Sequence, residues 1–412
     1  MKKPIAQLFI GAMGFLLFTA CHKTPPPPLA SPPVPVVESG LPEPPHTDPL
    51  SQGMWRLYHI QYDQARKAFA QYSEAHPREP AGYFYQTATD WWQLAQNFEI
   101  RQPEVIRRFE YDSEQTIRVA ETLEKSKKAD DRARALLYEG GAWGLRGRFE
   151  VTQRHWLDAY RAGKRGRGCL KKALDLDPQL DDAYLGLGIY DYYADTLRGV
   201  QAVLSALLMH GDRKRGIEEI ERAKNNGKHA RVEAMLFLID IYASWEKQPG
   251  KAVALARELY RDYPQSPAMH LAVISTLAAA AKWESMSEES AAFLDACRKG
   301  TPFYGPAQLP AALYYTGLGA LHLEHPDLCI ERMNDVLKMK DIPSESRWMT
   351  FAYLRRGQAY DIQGKRAQAL ADYKRVLARP DVWDSYKEAS SCVKTPWTPQ
   401  TDVTSTKEDM SK

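Results

Sequence analysis

Four groups of residues in this chain have types and spacings that chemistry could use. In "LHLEHPD", His322 and His325 stand three apart with Glu324 and Asp327 beside them, donor types found around metal ions. The same run also reads as a helix end with solvated polar groups. Residues 145–172 gather Arg146, Arg148, Arg154, Arg161, Lys164, Arg165, Arg167, Lys171 and Lys172. Such a stretch can meet an anionic partner, an acidic protein surface or lipid headgroups, although a solvated helix face is the plainer account. "DWWQ" offers Trp91 and Trp92, one for the core and one for a groove. "IYDYYAD" offers Tyr190, Tyr192 and Tyr193, which a helix turns to different sides, so at least one faces a binding surface as an aromatic anchor. No GxSxG, HExxH or Walker loop occurs. The expectation is therefore a binding protein with no catalytic residue, no metal site and no cofactor.

A further group is at the N-terminus. Lys2 and Lys3 precede an apolar run from Ile5 to Phe18, followed by Thr19, Ala20 and Cys21, the layout of a secretory signal over residues 1–20. The apolar run is too short for a membrane span, which needs about 20 residues. Residues 22–50 then hold eleven prolines in twenty-nine positions and almost no large apolar side chain, so they build no core. Proline-rich chain extends about 3.1 Å per residue, a stalk with a reach of roughly 90 Å. Phe18-Thr19-Ala20-Cys21 resembles a bacterial lipobox. That resemblance implies acylation of Cys21, which becomes the first residue of the mature chain, where several acyl chains anchor stably. His22, rather than Asp, follows Cys21, which points to the outer membrane, facing the periplasm or the cell surface.

The formal charge is +3, and loss of Lys2 and Lys3 with the signal leaves the mature chain near +1. An exported, nearly neutral chain is a poor partner for nucleic acid. Residues 51–383 are long enough for a substantial core, and a polar, disordered tail is expected over 384–412. Cys169, Cys297, Cys329 and Cys392 allow three pairings in an oxidising compartment. Cys169 and Cys329 fall on apolar helical positions, where a small buried thiol is the simpler account.

Helical periodicity runs almost throughout, with few strand signals. The run "YLRRGQAYDIQGKRAQALADYKRVLARP" places Gly357, Tyr360, Gly364, Ala369 and Tyr373, with Pro380 after them. Small Gly357 and Ala369 let two helices approach, Tyr360 and Tyr373 fill the space beside them, and Gly364 permits the turn. The pattern recurs at Gly53, Ala65 and Phe69; at Ala173, Pro178, Tyr184, Leu187 and Gly188; at Ala252, Ala256, Leu259 and Pro264; and at Gly317, Ala320 and Cys329. It resembles the tetratricopeptide repeat (TPR), a helix pair. The fold expected is all-α, a TPR-like superhelical solenoid of about eight hairpins, at 51–79, 80–130, 131–180, 181–228, 229–266, 267–300, 310–343 and 350–383. In "HGDR", Gly211 suits a helix C-terminus in the left-handed region and Asp212 the N-cap of the next helix.

Residues 181–270, with "AYLGLGIYDYYADTL" and "LLMHGDRKRGIEEIERAKNNG", resemble bacterial repeat lipoproteins and, distantly, eukaryotic tetratricopeptide repeat protein 39 relatives. "ARELYRDYPQSPAMH" is locally similar to the repeat lipoprotein of the outer-membrane barrel-assembly machine. These resemblances imply a lipid-anchored envelope scaffold that grips a protein or peptide partner in a groove, in a role such as envelope assembly. Candidate contacts are Trp91, Trp92, Tyr190, Tyr192, Tyr193, Arg161, Lys164, Arg165 and Arg167. The alternative is a carrier of a small apolar or glycan ligand in an aromatic pocket near Trp91, Tyr190 and the apolar segment 200–209. A closed pocket would favour the carrier, and an open groove the scaffold.

Overall fold

The computed structural model describes residues 42–45, 47–96, 102–198, 211–343 and 346–399. Cys21, the proline-rich segment up to residue 41 and the apolar segment 200–209 lie outside them. Seventeen α-helices and no strand occur among the described residues. None of these helices is long and apolar enough to cross a membrane. The chain divides into two compact units at Pro264 and Gln265.

In the first unit the helices pair as α1 (Pro49–Tyr58) with α2 (Tyr62–Ala75), α3 (Ala81–Gln96) with α4 (Pro103–Leu123), and α5 (Ala129–Thr152) with α6 (Trp156–Leu176). They continue as α7 (Ala183–Arg198) with α8 (Arg213–Asn226), and α9 (Arg231–Asp240) with α10 (Pro249–Asp262), a π-turn over Ile241–Trp245 extending α9. The second unit holds α11 (Pro267–Ala279) with α12 (Trp283–Lys299), α13 (Leu309–His322) with α14 (Pro326–Lys338), α15 (Arg347–Ile362) with α16 (Arg366–Leu377), and α17 (Ser385–Lys394). These are the eight expected hairpins and one further helix. Helix α17 lies beyond the boundary expected at 383. It buries Ala389 and Cys392, and Arg366 Nη2 on α16 donates to the carbonyls of Cys392 and Val393 at its C-terminal end (2.8 and 2.7 Å). Those bonds satisfy carbonyls that a helix end leaves open.

Local chemistry places the ends. Asp48, Asp212, Ser266 and Ser346 cap α1, α8, α11 and α15 with side-chain oxygens that accept first-turn backbone N–H groups. Proline opens α1, α4, α10, α11, α13 and α14, where its missing N–H costs nothing. The six hairpin turns that are described in full share one geometry. Ile60, Arg154, Lys247, Ala281, Glu324 and Gly364 each take a positive φ, from 52° to 69°. In five of them the next backbone N–H donates to the carbonyl five residues back, as Lys365 does to Tyr360 (2.8 Å) and His325 to Ala320 (2.8 Å). After the π-turn, Gln248 donates to Tyr242 instead.

Within the pairs, glycine faces a large side chain. A Cβ on Gly357 would stand 2.7 Å from the Tyr373 ring, and one on Gly53 or Gly317 would run into Phe69 or Met333. Gly211 does not take the left-handed conformation expected of it, since only Gly300 and Gly364 among the described glycines have positive φ. It is small because a Cβ there would collide with the α7 backbone at Asp191 and Asp195.

Candidate functional site

Successive hairpins of the first unit bring their first helices side by side, α1 to α3, α3 to α5, α5 to α7 and α7 to α9. With α6 they wall a pocket of about 330 Å³. That lies within the range of about 300–1,000 Å³ typical of small-ligand sites. Its lining is mostly apolar and aromatic: Leu57 and Tyr58 from α1, Phe84, Trp91 and Trp92 from α3, Leu137 and Leu145 from α5, Tyr190 and Tyr193 from α7, and Phe237 from α9. Glycines 140, 141, 144, 147, 163, 166 and 186 give parts of the wall no side chain.

A guanidinium sits among these rings. The Arg148 guanidinium lies 4.6 Å from the Trp91 centroid and 4.8 Å from that of Phe237. Burial lowers its pKa to about 10 against the opposing pull of the Glu233, Tyr193 and Asp240 charges. Burial raises the Glu233 carboxyl, while a hydrogen bond from Trp92 Nε1 (2.9 Å) and the charge of Arg148 hold it down. Tyr193 Oη donates to Asp240 Oδ2 (2.8 Å), which fixes that ring at the wall. At the start of α9, Asp182 accepts the backbone N–H groups of Lys228, His229 and Ala230 (3.2, 2.8 and 2.7 Å).

The structure thus brings Trp91, Trp92, Tyr190, Tyr193 and Arg167 together at one pocket. Both tryptophans line it, where one was expected in the core. Tyr192 does not: its ring is fully buried and its hydroxyl donates to Glu246 (2.8 Å), on the far side of α7. Of the basic candidates, Arg167 pairs with Asp191 (3.1 Å) and stacks at 5.1 Å on Tyr190. Arg165 stands 4.1 Å over Trp143, and Arg161 pairs with Asp158 (3.1 Å) at the surface. Lys164 is exposed on the same helix.

The geometry these hairpins share is that of tetratricopeptide-like helix pairs. None of the protein-family models compared matches the chain, and no curated protein matches it. Among solved structures, the chain is similar to the yeast Tom70 (10% identity, TM-score 0.38, covering 85% of this chain and 88% of that one). It is also similar to Naa15/Naa10 bound to HypK-THB (14%, TM-score 0.31, 84% and 67%) and to the P58(IPK) TPR domain (12%, TM-score 0.26, 86% and 98%).

The histidine pair is not assembled as a metal site. His322 packs face to face on Trp283 (3.7 Å, parallel), and His325 stands at the N-cap of α14. The donor group that the described residues do bring together is Glu150, His155 and Asp158, at the surface turn between α5 and α6. There His155 Nδ1 lies 2.8 Å from Glu150 Oε2. Its only trace in the sequence is a His and two carboxylates straddling a helix break. The four described cysteines are free thiols, and burial pushes each up to about 12, so none is a ready thiolate.

Proposed function

We propose that this chain is a non-catalytic binding protein, held at a bacterial envelope by an acylated Cys21, whose first unit takes an apolar ligand into the aromatic pocket. The observation that carries this is a cavity of about 330 Å³ walled by rings and glycines, with its charged groups tied to the protein. Walls on several sides suit the carrier reading better than an open groove. The scaffold reading keeps one feature of its own. Leu157, 49% exposed, stands at the pocket, an apolar handle for a protein partner that inserts a side chain.

A photoreactive phenylalanine analogue at Leu157 tests both. Tyr111, 62% exposed and outside the pocket lining, is the control. In intact envelopes an adduct is expected from position 157 and not from 111. Mass spectrometry of that adduct tells a small molecule from a protein. Equal labelling at both positions would sink the pocket as the binding site. Acyl labelling of wild type, lost in Cys21→Ala, is the expected sign of the anchor.

A further inference from the structure

The shape of the pocket narrows the ligand class; this inference rests on the pocket reading above. Lining positions on α5 run from Leu137 to Val151 and on α6 from Trp156 to Leu170. At 1.5 Å per residue each stretch is about 21 Å long. Lining over that length makes the site elongated, a slot along α5 and α6.

The glycines divide into two kinds. Gly140, Gly147 and Gly166 are demanded by packing: a Cβ on Gly166 would stand 2.8 Å from the Gly140 carbonyl oxygen, and one on Gly147 would stand 3.3 Å from that of Ala159. Gly144 and Gly163 are not. A Cβ on Gly144 meets nothing within 4 Å, and one on Gly163 meets only Tyr190 at an ordinary 3.6 Å. Glycine inside a helix costs roughly 0.5–1 kcal/mol against alanine. Both residues lie in helix interiors and line the slot, so their smallness serves the space beside them.

Charge points the same way. The charged lining groups are engaged by the protein itself: Arg148 by the Trp91 and Phe237 rings and the Glu233 charge, Arg167 by Asp191, Asp182 by the α9 backbone, Glu233 by Trp92. The slot therefore complements an uncharged chain. Beside it, Arg161 and Lys164 are exposed on α6 four and seven positions after the lining Leu157, on the flank of the helix that Leu157 shares. Of these, Lys164 makes no ion pair among the described residues, while Arg165 lies over Trp143, outside the lining.

We infer that the slot holds one unbranched acyl chain of an anionic amphiphile, its headgroup at the basic edge of α6. A fatty acid and a lysophospholipid share this chemistry.

The test uses the full chain as Cys21→Ala, so that no attached acyl group competes, with cis-parinaric acid as the fluorescent straight-chain probe. Saturable uptake is expected, with displacement by palmitate or by palmitoyl-lysophosphatidylglycerol. Whichever of the two displaces better identifies the source. Branched phytanic acid should compete more weakly, on the order of tenfold. Gly144→Leu and Gly163→Leu should each weaken uptake on the order of tenfold with the unfolding midpoint retained. Gly168→Leu, where a Cβ also has room but which is not in the lining, should leave it unchanged. Alanine at Arg161 and Lys164 together should weaken palmitate and leave neutral hexadecanol as it was. Absent uptake, a Gly144→Leu protein that binds like wild type, or phytanic acid competing equally would overturn the chain assignment. An unaffected double variant would overturn the headgroup assignment. Anilinonaphthalene sulfonate separates the two levels. If this dye binds and Gly144→Leu excludes it while no acyl compound displaces it, the acyl inference falls and the pocket reading stands. If the dye does not bind either, both fall.

Discussion

The Arg148 guanidinium lies over the Trp91 ring at 4.6 Å, in a pocket whose lining is mostly apolar and aromatic. An enclosed guanidinium persists where rings face it and a carboxylate answers its charge, and Phe237 and Glu233 supply both. Removing one member of such a pair leaves the other charge uncompensated. Arg148→Ala is therefore expected to cost about 3 kcal/mol of stability in the first unit, followed by denaturant unfolding. Glu233→Gln should cost less, because Gln keeps an oxygen for Trp92 Nε1 and the Asp240 charge still acts on Arg148. A smaller loss for Arg148→Ala than for Glu233→Gln would contradict this account.

The hairpin turns make a second prediction. Gly364 takes φ +69°, a conformation that other residues enter at a cost. Gly364→Ala should destabilise the second unit by about 1–2 kcal/mol. Ala281 holds the equivalent position between α11 and α12 at φ +52°, and Ala281→Gly should stabilise the same unit by up to about 1 kcal/mol. Thermal unfolding of the two variants side by side checks the pair, and a shared direction of shift would refute it.

These turns also show where the amino-acid sequence speaks and where it stays silent. Gly364 announces its turn, whereas Ile60, Arg154, Lys247, Ala281 and Glu324 make the same turn without a glycine. The helix pairs were legible all the same, because Gly357 against Tyr373 and Gly53 against Phe69 are contacts within one hairpin at fixed spacing. The pocket is a different matter. Trp92 meets Glu233 across 141 positions, and Arg148 comes from a basic stretch that reads as a solvated face yet turns inward onto Trp91. Tyr190, Tyr192 and Tyr193 could be assigned to different sides of a helix. Which side was buried depended on Glu246 and Asp240, in a hairpin about fifty residues away.

The second unit should be acid-sensitive through His322. Burial first, and then the charge of Arg355, lowers this ring to about 3 from its ordinary value near 6.5. A base whose folded pKa is depressed is neutral in the fold and takes its proton on unfolding. Its contribution is complete above about pH 6.5 and is lost as pH falls toward 3. At pH 5 the loss is at most about 2 kcal/mol relative to pH 7. His322→Phe keeps a flat ring against Trp283 and should flatten this part of the stability profile between pH 7 and pH 5. An unchanged slope in that variant would place the acid sensitivity elsewhere.

Two glycines set the fold against the site most sharply. Gly357 stands under Tyr373, so Gly357→Ala overpacks the α15–α16 pair and should cost about 1–3 kcal/mol. Gly144 lines the pocket with open space where its Cβ would be, so Gly144→Ala should gain about 0.5–1 kcal/mol from helix propensity alone. Opposite signs for the same chemical change, measured by urea unfolding of each unit, are the expected result. A destabilising Gly144→Ala would mean that the wall of the pocket is filled by protein, and the case for a ligand there would fail with it.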